Sequence, residues 1–121
     1  MKRTAILYPL LLIIITAVGA SVRLADLGRT PSGFYIDEAS FGYNAYSILK
    51  TGRDEYGVRR PLYTASTGTG KNPVYLYATA ASVAVFGLDE FSSRLPAAVF
   101  GAAAIFFICL FSKNINIPDN F

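Results

Sequence analysis

Two neighbouring carboxylates, Asp37 and Glu38, sit near the head of the stretch FYIDEASFGYNAYSILKTG (residues 34–52), which lies between two long charge-free runs. A carboxylate held just beyond an apolar run, at the level of lipid headgroups, is equipped to take a proton from a substrate hydroxyl. Lys71, Arg59 and Arg60 follow in the same segment, and their side chains are of the types that hold an anionic phosphate. Base, cation and lipid together are the equipment for chemistry on a lipid-linked phosphate. A plain structural reading stands beside this one: Asp37 as a helix N-cap and Glu38 in the first turn, both favoured by the helix dipole.

Other chemistries are excluded or lack support. The 121 residues contain no His, which removes His-based metal sites and His general bases. No metal ligand is assigned, and a divalent metal requirement is left open. Cys109 is the single cysteine, lies inside the second apolar run, and reads as packing. GTGKN (residues 68–72) imitates a phosphate loop, but Ala65 and Asn72 stand where that pattern needs Gly and Ser or Thr. The formal net charge of +3 is spread along the chain, unlike the dense basic face of a nucleic-acid binder.

The elements that must position these residues follow from the apolar pattern. Thr4 to Val22 carries no charge, and as a helix it would be about 28 Å long, close to the hydrocarbon thickness of a bilayer. Leu95 to Ser112 is a second run of similar reach. The expected architecture is an all-α membrane protein with spans at 4–22 and 95–112 flanking an extracytoplasmic loop, residues 23–94. Residues 1–3 (Met-Lys-Arg) and 113–121 then fall on the cytoplasmic side. A cleaved signal peptide is the alternative for the first run, which is long for that purpose. Within the loop, residues 37–50 read as a helix with Phe41, Ala45, Ile48 and Leu49 on one face and Gly52 as its C-terminal cap. Residues 53–71 read as irregular turn material. Residues 73–88 read as an apolar helix opened by Pro73, lying in the interface; a third crossing is the alternative. Asp89 to Phe91 and Arg94 to Pro96 read as helix-end and headgroup anchors, with Arg94 snorkelling to the surface. Tyr43 and Tyr46 fit an aromatic belt.

An N-terminal apolar run, then DEASFGYNAYSILKTGRDEYG, then Pro61, then KNPVYLYATAASVAVFGLDEFSSRLPAAVFG, resembles the start of the GT-C fold membrane glycosyltransferases. These are the protein O-mannosyltransferase, aminoarabinose transferase and RgtA/B/C/D-like group, glycosyltransferase family 39. The resemblance runs from the first span to about Gly101. It implies an integral, multi-pass protein of the plasma or inner membrane. It also implies a polyprenyl-phosphate sugar donor, attack by an acceptor hydroxyl at the anomeric carbon, and juxtamembrane helices at 37–50 and 73–88. It places Asp37 and Glu38 at the catalytic centre and Lys71 against the donor phosphate. Family members are several hundred residues long, so the sequence reads as an N-terminal portion. Its acceptor, whether protein, lipid or glycan, is not specified by these motifs. The alternative is a small membrane-anchored interaction protein without catalysis.

Overall fold

The computed structural model describes residues 2–66 and 69–112; residues 113–121, assigned above to the cytoplasmic side, lie outside the described residues. The elements in chain order are α1 (Lys2–Leu24), α2 (Ile36–Thr51), β1 (Thr64–Ser66), β2 (Thr69–Lys71), α3 (Pro73–Phe86) and α4 (Glu90–Ser112). The chain is mostly helical, as expected, with one correction. Part of the stretch read as irregular is a short antiparallel hairpin, in register Thr64↔Lys71 and Ser66↔Thr69. Thr64 and Thr69 are β-formers, one in each strand of the ladder. Tyr63 lies so close over Gly70 that a Cβ there would overlap its ring.

Two compact units divide the described residues, 2–25 with 98–112 and 26–97. In the first, α1 meets the C-terminal part of α4. A Cβ on Gly19 would overlap Ile105 Cδ1, and one on Gly101 would lie 2.6 Å from Arg23 Nε, so the two glycines set the closeness of the helices. The Tyr8 hydroxyl donates to the carbonyl of Cys109. Leu10, Ile13, Val18, Phe107, Ile108 and Phe111 point outward and exposed. Leu7–Leu24 and Glu90–Ser112, with mean hydropathies of 2.0 and 2.3, are long and apolar enough to cross a membrane.

The second unit is built on α2 and α3. Ala45 of α2 packs with Leu76, Ala80 and Val83 of α3, flanked by Phe41 and Ile48. Phe41 meets the Tyr75 ring edge to face at 4.7 Å. Leu49, expected on this face, is 44 % exposed instead. It lines a cleft of about 310 Å³ with Tyr46, Lys50, Val83 and Leu88. Gly52 caps α2 in the left-handed conformation, φ 70°, and its N–H reaches the Ile48 carbonyl. Asn72 caps α3 through its side chain, which accepts from Val74 N at 2.9 Å, and Pro73 takes the first helical position. With 14 residues, α3 is about 21 Å long, short of the hydrocarbon thickness.

The fourth helix begins five residues before the expected Leu95. Asp89 and Ser92 explain this: Ser92 N donates to Asp89 Oδ1 at 2.6 Å while Asp89 N donates to Ser92 Oγ at 3.1 Å. The reciprocal pair satisfies two orphan donors and nucleates the helix a turn and a half ahead of the apolar run. Pro96 therefore falls inside the helix rather than in its first turn. Close by, α2 passes the first turns of α4 at Gly42, where a Cβ would sit 2.8 Å from Ser93 Oγ.

Candidate functional site

Helix geometry places Asp37, Ser40 and Asn44 along one flank of α2, at spacings of three and four residues. Burial rises along that flank: Asp37 is exposed, Ser40 half-buried and Asn44 fully buried. Tyr35 holds the N-cap position, so Asp37 lies in the first turn and is not the cap, contrary to the sequence reading. Glu38 takes over the capping, accepting from Tyr35 N at 3.4 Å. The helix starts one residue early because the third helical position is then the glutamate, the residue type able to reach back to the cap N–H.

Glu38 is also gripped by Arg94. Nε reaches both carboxylate oxygens at 3.2 Å and Nη2 reaches Oε2 at 3.0 Å. The same guanidinium donates to the carbonyls of Gly33 at 2.8 Å and Leu27 at 3.1 Å, and meets Glu90 Oε2 at 3.4 Å. Arg94 is 5 % exposed. This corrects the expectation that it snorkels: the loop before α2 presents carbonyls without helical partners, and a planar fork of donors satisfies several at once. The Glu38 carboxylate is thereby engaged through both oxygens, and Asp37 stands beside it exposed.

The second network surrounds Lys71, at the end of β2. Its side chain is 4 % exposed. Nζ donates to Ser40 Oγ and to Glu55 Oε1 at 3.0 Å, and lies 5.9 Å from the centre of the Phe41 ring. Asn44 Nδ2 donates to the same Glu55 oxygen at 2.8 Å, and Asn44 Oδ1 accepts from Glu55 N at 3.0 Å. Burial pushes the Glu55 carboxyl up, but the hydrogen bonds from Asn44 and Lys71 and the charge of Lys71 prevail and hold it below its ordinary value. The neighbouring residue, buried Asp54, folds the loop that carries Glu55. Its Oδ1 accepts from Tyr56 N at 3.0 Å and Val58 N at 2.8 Å, and Gly57 turns at φ 82°.

Arg59 and Arg60 are exposed and anchored elsewhere. Arg59 bridges to Arg53, and Arg60 N donates to the Gly52 carbonyl at 3.1 Å. Gly52 lies twelve residues past Ser40, about 18 Å along the helix axis. Their backbone is thus tied to the opposite end of α2 from Asp37. Tyr75 completes the surroundings. Its hydroxyl donates to the Ser93 carbonyl at 3.1 Å, and burial and the negative charge of Glu38 push its phenol up, against a smaller opposing effect of Thr79.

Sequence reasoning missed Ser40, Asn44 and Glu55. Asn44 carried a signal, being an amide inside a helix whose neighbours Phe41, Ala45 and Ile48 form the core. Glu55 stood in the quoted GRDEYG stretch without a role. Comparison with protein-family models, with curated proteins and with solved structures finds no significant match.

Proposed function

We propose that this chain forms the N-terminal region of an integral-membrane glycosyltransferase that moves a sugar from a polyprenyl-phosphate donor to an acceptor hydroxyl on the extracytoplasmic side. The observation that carries the reading is the flank of α2: an open carboxylate, Asp37, stands one turn from Ser40, the hydroxyl bonded to the buried Lys71 ammonium. Base and cation are then brought to one flank of α2, the carboxylate directly and the ammonium, at the end of β2, through its bond to Ser40. Asp37 takes the proton as the acceptor oxygen attacks the anomeric carbon. The bond from that carbon to the phosphate oxygen breaks, and the polyprenyl phosphate leaves with the electron pair. Lys71 neutralises the phosphate.

The bilayer is the natural setting. The second unit keeps Ile36, Leu62 and Val85 on its surface at 75, 82 and 74 % exposure, as expected of an element resting on lipid. Residues 4–22 and 95–112 cross the membrane in this reading, and α2 and α3 lie along its outer face.

The test is Asp37→Asn in the full-length protein, assayed with a synthetic polyprenyl-phosphate sugar. Asn keeps the size and polarity of the side chain but takes no proton. Turnover is expected to fall by roughly 10²–10⁴-fold, the usual contribution of a general base. Folding is expected to hold, because Asp37 contributes only a first-turn dipole interaction of about 0.3–1 kcal/mol. Near-wild-type turnover at saturating donor and acceptor would return Asp37 to that structural role.

A further inference from the structure

The pair Lys71–Glu55 joins a cation that is almost sealed from solvent to a carboxylate that is not: side-chain exposures are 4 % and 28 %. One oxygen of that carboxylate, Oε1, collects both Nζ of Lys71 at 3.0 Å and Nδ2 of Asn44 at 2.8 Å. Ser40 Oγ accepts from Nζ and retains its own proton to donate. Two donors of the interior therefore converge on a single anionic oxygen that comes from a surface loop, with the Ser40 hydroxyl against one of them. We propose that Lys71, Asn44 and Ser40 form an anion site which Glu55 closes from within, and that a phosphate group enters it by displacing the Glu55 carboxylate.

The loop does not have to open for this exchange. Asp54 and the Arg53–Arg59 bridge hold its backbone, and Glu55 N remains bonded to Asn44 Oδ1 at 3.0 Å. Rotation about the side-chain bonds of Glu55 is enough to bring the carboxylate into water, where its solvation offsets the lost pair. A buried ammonium left empty is costly, so the site passes from one anion to another and is never vacant. The inference rests on the proposed transferase for the source of the phosphate, a prenyl phosphate, but not for the anion site itself.

The 121-residue chain in micelles of an uncharged detergent, at low salt, is titrated with inorganic phosphate and with farnesyl phosphate, followed by ³¹P NMR. Glu55→Gln keeps an oxygen for Asn44 and Lys71 and removes the charge that competes with phosphate. It is expected to tighten inorganic phosphate binding by about ten- to hundredfold, the scale of one hydrogen bond to a charged group. Lys71→Ala in the same background is expected to abolish that gain. Unchanged or weaker phosphate binding by a folded Glu55→Gln chain overturns the proposal and leaves Lys71 and Glu55 as a structural pair. If Glu55→Gln loses helicity by circular dichroism, Glu55→Asp carries the test. Its shorter carboxylate reaches the donors poorly, so a smaller gain in the same direction is expected, and no gain overturns the proposal. A gain for inorganic phosphate without any preference for farnesyl phosphate supports the anion site and counts against the prenyl-phosphate transferase.

Discussion

Arg94 shows how much one side chain can organise. Its guanidinium joins the start of α2 through Glu38, the preceding loop through the Leu27 and Gly33 carbonyls, and its own helix through Glu90. A lysine supplies the charge but neither the plane nor the five donors. Arg94→Lys is therefore expected to cost about 1–3 kcal/mol and to recover little relative to Arg94→Ala, since carbonyls that lose a charged donor stay desolvated. Thermal unfolding in detergent measures this; a Lys variant as stable as the wild type would show that charge alone matters. The sequence made the types of these residues legible but not their partners. An arginine ahead of an apolar run reads equally well as a headgroup anchor, and its burial depends on segment 27–33 folding back over it, a long-range event that no local pattern encodes. Lys71 is a similar case: its type suggested an anion, and the structure supplies Glu55 as one.

Elements were more legible, because helix ends are written locally. Gly52 and Pro73 mark their boundaries by conformations that glycine and proline favour. Asn72 belongs to the same local code, and its replacement tests how far α3 depends on it. Asn72→Ala is expected to destabilise the second unit by about 1 kcal/mol, with fraying confined to the first turn of α3. Hydrogen exchange at Val74 and Tyr75, whose N–H groups the Asn72 oxygen accepts at 2.9 and 3.4 Å, reports it directly; unchanged protection would mean that packing, not the cap, fixes the helix start. The hairpin was illegible for the opposite reason. Its strands have three residues each, too few for an alternating pattern to emerge from STGTG. The early start of α4 was hidden because reciprocal bonding between Asp89 and Ser92 leaves no apolar trace.

At the scale of the molecule, the proposed topology is open to direct test. With Cys109 replaced, single substitutions Ser32→Cys, Arg59→Cys and Ser112→Cys are exposed positions for an impermeant thiol reagent applied to intact cells. Labelling is expected at 32 and 59, and at 112 only after permeabilisation. Labelling at 112 from outside would mean that an odd number of crossings separates it from residue 2, and α3 would have to be the third span. The contact between Gly42 and Ser93 has another kind of consequence. These positions stand fifty-one apart in the chain, yet only a hydrogen fits between α2 and the Ser93 hydroxyl. Position 42 is then not free to vary by itself: a methyl there fits once 93 has lost its hydroxyl, since the Ser93 Cβ lies an ordinary 3.8 Å from that place. The order in which such changes arise is therefore constrained, with Ser93→Ala coming before Gly42→Ala.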